Sequence, residues 1–198
     1  MLTKIDILEG VHNQGTNHLT LHTSDGCSID GDGFSGSLTT SNCYVNAEGQ
    51  SNNQGCSISA SDSNTYGAGF NANNGGVYAT EITSDYISIW FFPRGSIPSD
   101  IEGDNPSPSS WGQPLAHFEG SCDIPSKFYD MELTFDTTFC GDWAGGVWSE
   151  SCAASTGVDS CTDYVANNGG AFTEAYWTVN ALKVYQLSGG SMMFHRPF

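Results

Sequence analysis

The sequence predicts an all-β fold of sandwich or barrel type, on three observations. Glycine is abundant, 24 of 198 residues. Aromatic and β-branched runs are short, and turn residues separate them. Where such runs occur, polar and apolar residues alternate with the period of two that marks a half-buried strand. The length suffices for one domain with a substantial core.

The first strand is predicted over residues 4–10, Lys-Ile-Asp-Ile-Leu-Glu-Gly. Lys4 and Asp6 face one way, and Ile5 and Ile7 face a core. Glu9 falls on the wrong parity to join Asp6. A one-residue bulge near Ile7 and Leu8 would bring it round. After a loop at 11–17, residues 18–23 form a second strand, antiparallel to the first. His18, Thr20 and His22 share one face, beside Asp6 and Glu9, and Leu19 and Leu21 share the other. His22 reads either as part of that polar site or as a half-exposed surface histidine. With only carboxylates nearby, the two histidines do not make a zinc site.

Residues 24–75 are rich in Gly, Ser and Asn and hold three cysteines. That is too long for an ordinary loop, so an excursion pinned by disulfides, with only short strands, is expected. Residues 70–76 close it, and their asparagines, Asn71 among them, read either as a cleft rim or as turn formers. Residues 77–83 and 86–92 form a hairpin turning at Ser84-Asp85, with aromatics on both faces and both faces covered. Glu81 reads as a solvated strand residue and Arg94 as a structural partner. Residues 95–112 are a surface loop, 114–119 a short strand and 122–128 a helical turn. Residues 131–135 are read as a strand running into 139–146, where glycines flank Trp143 and leave its indole open. Trp148 is a weaker candidate of the same kind. Residues 159–168 are the one plausible helix, with Asp159 as cap and Gly169-Gly170 as stop. Residues 176–186 are a last strand, and 187–198 are an unstructured tail.

Six blocks in order, IDILEGV, LTLHT, FNANNGG, YISIWFFPR, FCGDWAGG and LKVYQ, resemble glycoside hydrolase family 16, in particular the fungal endo-1,3(4)-β-glucanases or laminarinases. The resemblance runs from Ile5 to about Tyr185. It implies a β-jelly-roll sandwich (concanavalin A-like), incomplete at the N-terminus, with at most one or two short helices and a sugar cleft on its concave face. It makes residues 1–186 the C-terminal two-thirds of one domain, with the first residues replacing a native lead-in.

The family signature is Glu-x-Asp-x-x-Glu, and the chain departs from it at the first position. Glu9 matches the acid/base and Asp6 the helper carboxylate, but Lys4 stands at the nucleophile position. A retaining glycosidase needs one carboxyl to attack and another to protonate. Lys4 removes the first, and its charge is expected to hold Glu9 ionised, whereas crowded carboxylates would raise it. The resemblance therefore implies a retaining endo-β-glucanase on β-1,3 or mixed β-1,3/1,4 glucan, impaired in this chain. The alternative is a non-catalytic β-glucan-binding protein. His22, Asn71 and Trp143 are the expected substrate contacts, Trp143 by stacking on a glucose face. No cofactor is expected; some relatives bind calcium away from the cleft, but no ligand cluster in the sequence points to it.

Twenty-two acidic residues face five Lys and Arg, a net charge of −17. Such a balance excludes nucleic acid and anionic membrane as partners, because nothing neutralises phosphates. It suits a soluble, monomeric protein working in acid. Seven cysteines without a C-x-x-C pair read as a secreted disulfide framework. The odd one is either a buried free thiol or one whose partner lies upstream. Cys152 and Cys161, bracketing a short loop, are the pair expected from sequence. No signal peptide and no membrane-spanning stretch is recognisable.

Overall fold

A computed structural model describes residues 3–103 and 105–186, which fall into two compact units. The first takes the strand up to Gly10 and then Gln14–Phe128; the second takes Val11–Asn13 and the chain from Tyr129 onward. The expected tail at 187–198 lies outside the described residues.

The first unit holds two antiparallel sheets. One contains β1 (Lys4–Glu9), β2 (His18–His22), β3 (Ser37–Thr40) and β4 (Cys56–Ser59) in the order β1-β2-β4-β3. The other contains β5 (Gly76–Ile82), β6 (Tyr86–Pro93) and β7 (Ala116–Glu119) in sequence order. The alternation of the sequence becomes the core here. Leu19, Leu21, Ile58, Ile87, Ile89, Ala116 and Phe118 are all essentially buried. On β6 both parities are covered, since Ser88 and Trp90 are buried beside the isoleucines. His22 is buried too, so the reading of a half-exposed surface histidine does not hold. Gly55, at φ +68°, lets the chain lie against β2: a Cβ there would meet the Leu21 carbonyl oxygen at 2.3 Å.

The excursion between β2 and β5 is pinned as expected, by Cys43–Cys56 inside it and by Cys27–Cys122 at its start. Ser28 N–H also donates to Ser121 O at 3.0 Å, and Asp30 N–H to Glu119 O at 2.8 Å. Cys27–Cys122 spans 95 residues. Replacing both by serine should lower the unfolding free energy by about 5 kcal/mol on the chain-entropy account, read from urea denaturation. The 13-residue Cys43–Cys56 loop should cost about 3 kcal/mol.

Helical segments outnumber the one or two expected. Among the described residues there are four 3₁₀ turns and six α-helices: α1 (Gly67–Ala72), α2 (Ser99–Glu102), α3 (Ile124–Lys127), α4 (Gly141–Gly146), α5 (Trp148–Thr156) and α6 (Cys161–Asn167). Four of the α-helices are six residues or shorter, too short for a periodic pattern to announce them. None of the six is long enough to cross a membrane. The α6 helix and the α3 turn lie where the sequence put them, and Ser160 rather than Asp159 caps α6.

The second unit packs α5 and α6 around Trp148, Cys152 and Cys161, with Cys140, Ala153, Tyr164 and Val165 against them. Trp148 is thus a core residue; its Nε1–H donates to Val158 O at 2.8 Å. The expected Cys152–Cys161 bridge is replaced by Cys140–Cys161. Cys140 precedes α4 and comes within a Cα separation of 5.7 Å of Cys161, an ordinary bridging distance. The α5 helix carries Cys152 into the apolar cluster as a buried free thiol, which accounts for the odd count. The two strands expected at 131–135 and 176–186 do not form. Their alternation is present, but a strand also needs a ladder partner for its backbone groups. Leu133, Phe135, Trp177, Val179, Leu182 and Val184 are exposed instead.

Candidate active site

Four of the six candidate residues come together on β1 and β2. The register pairs Lys4 with His22, Asp6 with Thr20 and Glu9 with His18. Two residues lie between Asp6 and Glu9 on β1, but only one lies between their partners on β2. The extra residue is the predicted bulge, and it turns Glu9 onto the face of Asp6.

Lys4 Nζ sits 3.0 Å from Asp6 Oδ2 and 3.6 Å from Glu9 Oε1. His22 Nε2 lies 3.1 Å from the same Asp6 oxygen. At Asp6 the angles are poor for hydrogen bonds, so these contacts are electrostatic. Side-chain exposure falls from 47% at Lys4 through 28% at Glu9 and 15% at Asp6 to 6% at His22. The cluster therefore opens to solvent on the Lys4 side and closes at its base.

Burial pushes the Glu9 carboxyl above the ordinary glutamate range, and the Asp6 charge pushes it further. Lys4 and His22 pull it back without overcoming those two effects. The lowering expected of Glu9 from the Lys4 charge is thus corrected in direction: desolvation of Glu9, with the Asp6 charge, outweighs the ammonium, which is itself half in water. For Lys4, burial works to lower the ammonium's value, but Asp6 and Glu9 more than offset it and the net shift is upward. Burial also lowers His18, and it raises the Tyr66 phenol with help from the Glu9 charge.

Ligand atoms of Asp6, Glu9 and His22 lie within 4.8 Å of one another, the grouping expected of the polar face of β2 beside the two carboxylates. An ion held there would have to displace Lys4. The Lys4 ammonium already fills the place a cation would take between the carboxylates.

Asn71 stands exposed on α1, and its carbonyl accepts from Asn74 N–H at 2.9 Å. Trp143 belongs to the second unit, where residues 141–146 coil into α4, and its side chain is 45% exposed. Arg94 Nε donates to Asn74 O at 3.2 Å, the structural partnership expected of it.

Sequence reasoning passed over Asn17, just before β2. It is fully buried, and its carboxamide bonds to the bulge at both ends. Its only signal in the sequence is an amide directly ahead of the strand opposite Glu9. A second polar row was also missed. Ser88 Oγ lies 2.7 Å from His117 Nδ1, both residues lining a cavity of about 360 Å³, and His117 Nε2 lies 3.0 Å from Glu119 Oε2. The order resembles a nucleophilic triad. Yet Ser88 sits mid-strand between Glu81 and His117 and is 2% exposed, whereas a nucleophile must reach its substrate. The row is a cross-strand hydrogen-bond ladder.

A family model described as "XgeA-like, catalytic GH16 domain" matches residues 3–185. The chain is 47% identical over 186 residues to an endo-1,3(4)-beta-glucanase of Arthroderma benhamiae, covering 92% of this chain and 41% of that protein. It is 43% identical over 192 residues to the endo-1,3(4)-beta-glucanase xgeA of Emericella nidulans, covering 94% of this chain and 30% of that one. Among solved structures, an elongating GH family 16 beta-1,3-glucosyltransferase superposes with a TM-score of 0.79 at 43% identity. Laminarinase 16A from Phanerochaete chrysosporium, with beta-glucans in both donor and acceptor sites, superposes with a TM-score of 0.72 at 41% identity. Each of these two alignments covers 88% of this chain and 59% of the other. The chain thus spans well under half the length of these curated relatives and about three-fifths of the solved chains. The two sheets carry the jelly-roll sandwich of these neighbours, and with that match the chain belongs to glycoside hydrolase family 16, among its XgeA-like catalytic domains.

Proposed function

We propose that the chain carries the acid/base half of a retaining endo-1,3(4)-β-glucanase site and acts on β-1,3 or mixed β-1,3/1,4 glucan outside the cell, as a monomer. The observation that carries this reading is Glu9: a carboxyl turned beside a second carboxyl, half-buried and raised above its ordinary value. An upward shift is the direction a general acid needs, toward keeping its proton until the leaving oxygen takes it. In the double displacement a carboxylate at position 4 attacks the anomeric carbon while Glu9 gives its proton to the departing oxygen. Glu9 then takes a proton from the water that releases the sugar. Asp6 between them keeps Glu9 high. His22 steadies Asp6 from β2, and Asn71 and Trp143 contact glucan. Family membership, the glucan-bound laminarinase neighbour and three disulfides support the substrate class and the extracellular setting.

With Lys4 in the attacking position the first displacement has no nucleophile, and turnover is impaired. Lys4 Nζ, 3.0 Å from Asp6 and 3.6 Å from Glu9, also favours a second reading, a glucan-binding protein without turnover. Laminarin pull-down run beside reducing-sugar release tests both. The expected result is retention on laminarin with release no faster than the blank. Release at an ordinary glucanase rate would overturn the impairment, and absence of binding would overturn the glucan assignment.

A further inference from the structure

We infer that Asn17 is a positioning residue for the acid: its carboxamide clamps the β1 bulge and so keeps Glu9 on the face of Asp6. The inference rests on the assignment of Glu9 above.

In a regular strand, residues three apart point to opposite faces. Asp6 and Glu9 would then never meet, and no pairing of β1 with β2 could change that. The bulge is the sole device that brings them together, and a bulge leaves backbone groups out of the ladder. Here those groups are the Ile7 carbonyl and the Glu9 N–H. Asn17 answers both: its Nδ2 donates to Ile7 O at 2.8 Å, and its Oδ1 accepts from Glu9 N at 2.8 Å. A carboxamide offers one donor side and one acceptor side, as a backbone peptide does. Asn17 therefore acts as an inserted rung that only the bulged register can use.

The rung is itself fixed. Asn17 is fully buried. Its N–H donates to Thr65 Oγ1 at 3.1 Å, and its carbonyl accepts from Ala60 N at 2.9 Å. Thr65 Oγ1 donates onward to Asp62 O at 2.6 Å, and Tyr78 OH donates to Thr65 O. The turn before α1 and strand β5 thus hold Asn17 from behind, and Asn17 holds Glu9.

The test is a coupling measurement on the full chain by carboxyl NMR. The charged or titratable groups around Glu9 are Lys4 and Asp6 on β1, His18 and His22 on β2, and Tyr66. In the wild type, Asp6→Asn should lower the Glu9 titration midpoint, because Asp6 contributes to its elevation. In Asn17→Ala that response should vanish, because Glu9 no longer shares the face. Thr65→Val removes the hydroxyl that accepts from Asn17 N–H but leaves both carboxamide bonds to β1 in place, so it should lower Tm and leave the Asp6→Asn response intact. An unchanged response in Asn17→Ala, or its loss in Thr65→Val, overturns the inference. Should Asn17→Ala not fold, the wild type still decides: Glu9 N–H must exchange as slowly as ladder amides, and exchange at a loop rate overturns the clamp. In a Lys4→Glu background, Asn17→Ala should lower kcat roughly a hundredfold with KM unchanged, the scale expected of a misplaced reacting group. If Lys4→Glu itself hydrolyses nothing, the glucanase reading fails while the NMR and exchange results still judge the clamp.

Discussion

Replacing Lys4 by glutamate should give a chain that hydrolyses laminarin with retention at the anomeric carbon. Position 4 already points at the cluster: its side-chain nitrogen reaches both Asp6 and Glu9. A carboxylate there would stand on the same face as Glu9, whereas the present ammonium has no lone pair to attack with at neutral pH and repels a cationic transition state. The gain in the chain alone should be modest, because β1, which carries the carboxylates, is the edge strand of its sheet among the described residues and is flanked by β2 on one side only. Fused to the part of the Arthroderma relative's protein that this chain does not span, Lys4→Glu should exceed the Lys4 fusion by about 10³-fold or more in kcat, against roughly 10⁶ for losing the nucleophile of a serine hydrolase. Proton NMR of the first-formed products reads the stereochemistry. Equal rates for the two fusions, or inversion, would sink the assignment of position 4.

Glu9→Gln should have opposite effects on activity and on stability. In the Lys4→Glu background it removes the acid/base and should lower kcat by about 10²–10⁴-fold. Its effect on stability follows from linkage. The Glu9 carboxyl titrates higher in the folded chain than in the unfolded one. It therefore favours the fold while protonated, and that contribution is lost as pH rises through the folded value. Glutamine mimics the protonated form at every pH. Glu9→Gln should therefore raise Tm at pH 7 and leave it nearly unchanged below the unfolded glutamate value, despite the lost 3.6 Å contact with Lys4. A lower Tm at pH 7 would mean that the contact with Lys4 matters more than desolvation. Gain in stability on loss of function is the usual signature of an active-site group held in an unfavourable state.

The first 120 residues were more legible than the rest, and the reason is physical. The sequences of β1, β2, β5 and β6 alternate, and each finds an antiparallel partner close in the chain, so pattern and pairing agree. The bulge was legible from parity alone, because carboxylates at 6 and 9 can meet in no other way. At 131–135 and 176–186 the alternation is equally clear, yet alternation fixes only which side chains share a face. The ladder partner is a nonlocal fact. Cys152 misled for a related reason: nearness in sequence to Cys161 says little once Cys152 is held inside the nine-residue helix α5. Asn17 was invisible because a buried amide bonding to two backbone groups has the same letter as one in a turn. The sign of the Glu9 shift depended on how much water Lys4 retains, a quantity no sequence carries.

The unpaired thiol under Trp148 gives the second unit a built-in clock. Six of the seven cysteine sulfurs are tied into bridges, so a thiol-alkylating reagent under non-reducing conditions has a single target, and that target is shielded by the indole and by Cys161. The speed at which Cys152 is modified then counts openings of the α5–α6 pair one molecule at a time, with no label added and no residue changed.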